Sequence, residues 1–149
     1  MIYFHNATRK SGVDSRALKR VAEQLLGAVH ERGSSLSLSL VSDRAIQELN
    51  RVHRGQDRPT DVLSFPLAQI ADPAQIERML GDVVISIETA RRQAADYDAP
   101  LQDEVHRLLI HGILHVLGHD HEEAAERVEM EREERRLAAE IGMRWPYES

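Results

Sequence analysis

The sequence predicts an α/β (α+β) fold in which a small mixed sheet of about four strands packs with about five helices. Three observations predict it. Residues 35–41 alternate serine with leucine, as in a half-buried strand. Residues 101–117 carry apolar side chains at helical spacing. At 149 residues the chain is long enough for one sizeable core, and we expect a single domain over residues 1–149.

The individual elements follow from apolar patterning and from the residues that begin and end them. Asp14 is a candidate N-cap for the first helix, and Gly33 is a candidate stop for it. Pro66 ends the third strand, and Pro100 lies where the fourth helix starts. The predicted strands are residues 1–4, 35–41, 60–66 and 81–87, and the predicted helices are residues 15–33, 43–50, 88–97, 101–117 and 122–141.

Two stretches are predicted to connect these elements. Residues 51–59 form a polar loop that crowds Arg51, His53, Arg54 and Arg58 together. Such a loop is either simply solvated or part of a functional site. Residues 67–80 join the third and fourth strands with one short helical turn, and their sequence indicates no function.

Composition narrows the class of protein. The chain has no cysteine, which excludes disulfides and thiolate zinc sites and is compatible with a reducing compartment. No apolar run approaches the roughly 20 residues of a membrane span, so no membrane partner is expected. The first five residues lack the basic and apolar regions of a signal peptide. We therefore expect a cytoplasmic protein.

The net charge of −6 is unevenly distributed along the chain. Residues 120–149 hold 10 acidic and 5 basic residues, a balance of −5, whereas residues 1–119 hold 15 acidic and 14 basic residues. The acidity belongs to the last helix, whose charges at three- and four-residue spacing indicate a solvated face. The overall negative charge of the chain is therefore compatible with a local basic groove that binds nucleic acid. Aromatic residues make up only 4%, which argues against a broad base-stacking surface.

The most informative stretch is residues 111–121, which holds four of the eight histidines. His111 and His115 are one helical turn apart and project from the same face, as two ligands of one metal ion must. Gly118 can take the left-handed conformation that ends a helix, so that the chain turns back and brings His121 to the same point. Three imidazoles would leave a fourth position for water or substrate, as in catalytic zinc sites. The alternative is a set of ordinary surface histidines.

This spacing is that of the metzincin proteases, with one departure. Those enzymes carry a glutamate as general base directly after the first histidine, and this chain has Gly112 there. A peptidase of that type would lack its proton acceptor. Gly112 either opens space beside the metal or permits close packing of the helix on the sheet.

Several motifs outside the histidine run are also characteristic. Together with the histidines, they make the sequence resemble the YbeY family of bacterial endoribonucleases and ribosomal RNA maturation factors. The resemblance covers roughly residues 36–121. The motifs that carry it are Leu49-Asn50, Arg54-Gly55, Pro59-Thr60-Asp61-Val62-Leu63-Ser64-Phe65-Pro66, Gly81-Asp82-Val83-Val84-Ile85-Ser86 and the histidine run of residues 111–121.

The resemblance implies a single zincin-like domain that holds one metal ion, usually zinc and otherwise another divalent transition metal. By position, its ligands are His111, His115 and His121, and the functionally important arginine of the family is Arg54. The implied activity is single-strand-directed cleavage of RNA in ribosomal RNA maturation, notably at the 3′ end of 16S ribosomal RNA, and in ribosome quality control. Ribosomal RNA and the small ribosomal subunit are the implied partners. Family members vary at positions 119 and 61, so neither position is expected to be obligatory for catalysis.

A mechanism follows as a hypothesis. A zinc ion in such a site lowers the pKa of water to about 7 and polarises a phosphoryl oxygen. Arg54 would grip the phosphate and stabilise its charge, so Arg54 and His115 are the predicted catalytic residues. The nucleophile is either a water molecule or the ribose 2′-hydroxyl. Asp120 is predicted to orient a ligand imidazole. The RNA-binding candidates, chosen by charge, are Arg51, Arg54, Arg58, Arg91 and Arg92.

Two other functions compete with this one. The first is hydrolysis of another substrate, such as a peptide, against which the missing glutamate at position 112 counts. The second is a ribosome-assembly binding factor whose metal is structural, against which the open coordination position counts.

Overall fold

The predicted order of four strands and five helices is confirmed. A computed structural model describes residues 1–67 and 78–145 of the chain. The helical turn predicted within residues 67–80 falls outside these ranges for residues 68–77. The elements are β1 Ile2–Asn6, α1 Ser15–Ala28, β2 Ser35–Val41, α2 Asp43–Arg54, β3 Val62–Pro66, β4 Met79–Ser86, α3 Ile87–Asp96, α4 Leu101–Val116 and α5 Ala124–Glu140.

The strands form a mixed four-stranded sheet in the order β1-β2-β4-β3. β1, β2 and β4 run parallel, and β3 is an edge strand that pairs antiparallel with β4. In this register Ser64 of β3 lies opposite Val83 of β4. Because α4 packs on these two strands, the sheet edge formed by β3 lies beside the histidine-bearing helix.

The two faces of the sheet differ in what covers them. Leu36, Leu38 and Leu40 point to one face and are fully buried in the main core, which α1, α3, α4 and α5 complete. A smaller apolar cluster on the opposite face packs Ile46 of α2 against Leu63 and Val84. The alternation in residues 35–41 therefore separates the main core from a more polar surface, as predicted. Among the described helices, none is both long and apolar enough to cross a lipid bilayer.

The predicted end of α2 near Asn50 was wrong, because the helix continues through Arg54. Gly55 ends it in the left-handed conformation, with φ of 68°. Arg51, His53 and Arg54 therefore lie in the last helical turn rather than in a loop, and their positive charge suits the negative end of the helix dipole. Asn50 is buried, and its side-chain amide donates a hydrogen bond of 2.8 Å to the carbonyl of Arg58, which holds the following loop against the helix.

The predicted end of α1 at Gly33 was also wrong. The helix stops at Ala28 because His30 takes the left-handed conformation, with φ of 62°. The N–H of Glu31 then donates to the carbonyl of Leu26 at 2.8 Å, and the N–H of His30 donates to that of Gly27 at 3.2 Å. This is the usual bonding of a helix C-terminus, here with histidine in the place that glycine normally takes.

The N-termini of α2 and α3 are joined by a network around Asp43. One carboxylate oxygen of Asp43 accepts hydrogen bonds of 2.6 Å from the hydroxyls of Ser86 and Thr89, and the other accepts one of 2.8 Å from Arg92. In return, the backbone N–H of Asp43 donates to Glu88 at 2.9 Å. The network therefore holds together two helices that follow parallel strands.

We expect an Asp43→Asn variant to lose about 1–3 kcal/mol of stability at pH 7, because charge-assisted hydrogen bonds are lost. Burial by itself raises the pKa of Asp43, but the hydrogen bonds from Ser86, Thr89 and Arg92 outweigh it and the pKa is lowered. The ionised Asp43 therefore stabilises the fold fully at pH values above the usual pKa of a carboxyl group. This stabilisation is lost as the pH falls through the lowered pKa of Asp43 in the folded protein. Urea unfolding at pH 7 and at about pH 3 checks this: the gap between variant and wild type should narrow in acid. An equal gap at both values would contradict it.

Candidate active site

Helix α4 presents its histidines at a defined end of the molecule. Pro100 precedes its first turn, which carries Asp103 and Glu104 as suits the positive end of the helix dipole. The helix ends in the predicted glycine turn: Gly118 has φ of 98°, and the N–H of His119 donates to the carbonyl of Leu114 at 2.9 Å. The chain therefore reverses after α4 and carries His121 back towards the helix.

The structure brings the three predicted metal ligands together. One ring nitrogen from each of His111, His115 and His121 lies within 4.8 Å of the others. The Nε2 atoms of His111 and His115 are 3.0 Å apart. The ring of His121 lies 5.8 Å from that of His111 and 5.1 Å from that of His115, centroid to centroid. Three nitrogen donors from a helix and its following turn form the donor set of catalytic zinc sites.

The surroundings of His115 favour its neutral form. Burial lowers the pKa of His115, and the neighbouring imidazoles of His111 and His121 lower it further. A hydrogen bond with the His119 backbone and the charge of Asp120 oppose these effects only in part. Because a metal binds the unprotonated imidazole, a lowered pKa suits a ligand.

One carboxylate at the site was missed in the sequence. Glu134 of α5 is buried, and its Oε1 lies 3.4 Å from Nδ1 of His111. The charges of the last helix were predicted to form a solvated face. Met130, Glu134, Leu137 and Ala138 are nevertheless all buried, and their spacing places them on one side of the helix. That spacing was the available signal that one glutamate faces inwards.

The histidines line an open cleft of about 870 Å³ together with Arg54. The Nη2 group of Arg54 donates a hydrogen bond of 3.1 Å to the backbone carbonyl of Ser64 on the edge strand β3. This bond uses one of the five N–H donors of the guanidinium and holds the guanidinium at the edge strand. The hydroxyl of Ser64 in turn donates to the carbonyl of Gly112 at 3.0 Å, so β3 links Arg54 to the histidine helix.

The other predicted site residues are distributed unevenly. Arg58 lines the cleft, and its guanidinium donates to Gln56. Arg51 pairs with Glu48 on the surface of α2 and does not line the cleft. Asp120 lines the cleft, but its carboxylate accepts a hydrogen bond of 2.7 Å from the backbone N–H of His121 rather than from an imidazole.

The two arginines of α3 are engaged elsewhere. Arg91 donates to the carbonyl of Ser11 at 2.9 Å, and Arg92 pairs with Asp43 at 2.8 Å. Neither lines the cleft. The structure thus unites Arg54 and Arg58 with the histidines, and it places Arg51, Arg91 and Arg92 outside this group.

Gly112 is the point of closest approach between α4 and the sheet. A Cβ atom at this position would lie 2.6 Å from Cγ1 of Val83 and 3.2 Å from Oγ of Ser64. Of the two readings of this glycine, close packing of the helix on the sheet is therefore the one that the structure favours. A glutamate of the metzincin kind would not fit here without displacement of the helix.

We expect a Gly112→Ala variant to be destabilised by about 1–3 kcal/mol, since Val83 is fully buried and overpacking strains the core. Thermal and urea unfolding measure the loss. Gly27→Ala is the matched control, because an added Cβ in α1 would meet only the side chain of Arg32 at 3.5 Å. A second change, Val83→Ala, should recover part of the loss by making room. Equal stability of Gly112→Ala and the wild type would contradict the packing argument.

Comparison with known proteins assigns this chain to a family. The family model described as Endoribonuclease YbeY matches residues 3–142. This chain belongs to the YbeY family. An Endoribonuclease YbeY of Moorella thermoacetica is 44% identical over 135 residues, which cover 85% of this chain and 86% of that protein.

Two further similar proteins differ more from this chain in length or in sequence. An Endoribonuclease YbeY of Myxococcus xanthus is 47% identical over 129 residues, covering 87% of this chain but only 44% of that longer protein. The chain thus spans less than half of that relative. A solution structure from Thermotoga maritima is 30% identical, with a TM-score of 0.64, and the match covers 95% of this chain and 89% of that one. This likeness confirms the mixed α/β fold.

Proposed function

We propose that the protein is a metal-dependent endoribonuclease that cleaves single-stranded RNA during ribosomal RNA maturation. One observation carries the proposal: three imidazoles and the Arg54 guanidinium line the same open cleft in a chain of the YbeY family. An open cleft suits an extended polymer better than a small enclosed ligand. Processing of the 16S ribosomal RNA 3′ end and ribosome quality control are the proposed roles, with the small ribosomal subunit as partner and the cytoplasm as location.

The donor set supports zinc as the metal, held by His111, His115 and His121. All three donors are imidazole nitrogens, and the chain has no cysteine to make a closed thiolate site. Another divalent transition metal that accepts imidazole would suit the same donors. When bound, the ion supplies Lewis acidity, which lowers the pKa of water and polarises a phosphoryl oxygen.

The protein's own residues would bind and orient the RNA backbone. Arg54 is held at Ser64 with further N–H donors available for a phosphate, so it can stabilise the charge that builds up on the phosphoryl oxygens. Arg58, on the same cleft, adds a second positive charge for a flanking phosphate. The side chain of Asn50 bonds the backbone carbonyl of Arg58, so it ties the loop that carries Arg58 to the helix that carries Arg54.

The two competing functions are less well supported. A peptidase of the metzincin kind needs a general base at position 112, where a glutamate side chain would clash with Val83 and Ser64 unless the helix moved. A purely structural metal is normally closed off by four protein ligands, whereas the three histidines line an open cleft. Both observations favour a catalytic site for a large substrate.

The test is cleavage of an RNA that contains the 3′ region of 16S ribosomal RNA, with and without a chelator. We expect cleavage by the zinc-loaded protein, its loss on chelation and its return on addition of zinc. A folded, zinc-loaded protein that binds the RNA but does not cut it would contradict the proposal and favour a binding factor. Cleavage that survives complete removal of metal would contradict the role of the metal.

The product termini distinguish the two nucleophiles. Attack by the ribose 2′-hydroxyl leaves a 2′,3′-cyclic phosphate and a 5′-hydroxyl, and it requires that hydroxyl at the cleaved bond. Attack by water leaves one terminus with a phosphate monoester and does not need the hydroxyl. Because the cleft can hold a solvent molecule beside the histidines, we expect the second result, with cleavage retained on a substrate bearing one 2′-deoxy residue at the cut site. Complete resistance of that substrate would contradict water as the nucleophile.

A further inference from the structure

The buried glutamate of α5 is the feature that the proposed mechanism leaves unused. Glu134 is 7% exposed, although it lies in a helix rich in exposed charges. Its neighbour Glu133 is paired with Arg136 at the surface, and Glu131 is exposed. Burial of a carboxylate is costly unless a partner satisfies it. The buried carboxylate of Glu134 is therefore expected to have a hydrogen-bonding partner that offsets the cost of its burial.

That partner is the imidazole of His111. Oε1 of Glu134 lies 3.4 Å from Nδ1 of His111, and the two residues are 23 positions apart on different helices. A carboxylate can only accept, so Nδ1 of His111 must carry the proton. The Nε2 atom of His111 then carries a lone pair in place of a proton, and it is the atom that faces Nε2 of His115 at 3.0 Å.

We propose that Glu134 is a positioning residue that holds the ring of His111 in the tautomer and orientation that a metal ligand needs. Helix α4 fixes the backbone of His111, but the ring can still turn about its side-chain bonds. The contact with Glu134 of α5 restricts that rotation. The negative charge of its carboxylate also makes the imidazole a stronger electron-pair donor to a metal ion. Asp120, which was predicted for such a role, bonds a backbone N–H instead.

The test compares the zinc affinity of Glu134 variants, measured by competition with a chromogenic chelator. This rests on the three-histidine site of the proposed function, but it needs no RNA. Glu134→Leu fills a similar volume among apolar neighbours and removes the acceptor, so we expect zinc binding weaker by roughly 10- to 100-fold. Glu134→Gln keeps an acceptor oxygen without the charge and should show a smaller loss. Glu131→Leu and Glu131→Gln are the matched controls at an exposed position of the same helix, and their affinity should equal that of the wild type.

A second measurement separates positioning from simple packing. Nitrogen-15 spectra of the metal-free wild type at a pH where the imidazoles are neutral should show the His111 proton on Nδ1, and the Glu134→Leu variant should show a mixture of tautomers. A proton on Nε2 in the wild type would overturn the inference. So would a folded Glu134→Leu variant with unchanged zinc affinity, or, if that variant does not fold, a Glu134→Gln variant with unchanged affinity and unchanged spectra. Zinc binding by the wild type without RNA cleavage would count against the proposed function alone.

Discussion

Replacement of His115 by alanine is expected to reduce both zinc binding and RNA cleavage by more than about 100-fold. Loss of a residue that merely orients a ligand already weakens metal binding by about 10- to 100-fold, and loss of a ligand itself should exceed that. His115 is the middle member of the trio, 4.6 Å from the ring of His111 and 5.1 Å from that of His121. Its removal therefore leaves two donors that are insufficient to retain the ion.

Metal analysis by mass spectrometry and a cleavage assay on the same preparation measure the two losses together. His5→Ala, on the exposed edge strand β1, is the matched control for a histidine removed away from the cleft. Circular dichroism should show both variants folded, because His115 is only half-buried. A His115→Ala protein that keeps a full zinc ion and cuts RNA within tenfold of the wild type would overturn the assignment.

Replacement of Arg54 by alanine is expected to slow cleavage by about 100-fold or more while zinc binding is unchanged. The reason is the loss of a donor that stabilises charge on the phosphoryl oxygens at the transition state. The residue lines the cleft at the end of α2 but belongs to a different element from the metal ligands, so the metal should stay.

A lysine at position 54 separates charge from geometry. Lysine keeps the positive charge but cannot bind a phosphate through two parallel N–H groups, so we expect only partial recovery. Arg44→Ala, at the exposed start of the same helix, controls for the loss of one positive charge. Single-turnover rates with saturating RNA give the effect on the chemical step. Rates for Arg54→Ala that match those of the Arg44→Ala control would contradict the proposed role.

The sequence was sufficient for those features that depend on neighbours in the chain. The spacing of His111, His115 and Gly118 implied a common face followed by a turn, and the structure has both. Strict alternation located β2 to the residue. These features depend on local geometry, in which a period of 3.6 or 2 residues directly fixes the direction of a side chain.

Features that depend on packing between distant segments were harder to predict. Glu134 carries the same charge as its exposed neighbours, and its burial is decided by the docking of α5 on α4. The charge of Arg91 and Arg92 suggested phosphate contacts, yet their location on α3 directs them to Ser11 and Asp43. Helix α2 extends to Arg54 because Gly55 is the residue that ends it. In the sequence, Gly55 was placed within the predicted loop of residues 51–59 and was not used as a helix stop.

The glycine turn after α4 has a consequence for the way in which the proposed metal ion would be exchanged. Two of the three histidines are on a helix that Gly112 seats directly against the sheet, whereas His121 follows the turn and is exposed. If the three histidines hold a metal ion as proposed, a competing chelator would have access first to His121, while the other two would remain in place. We expect release to proceed stepwise from that side, at a rate set by motion of residues 118–121 rather than by opening of the helix.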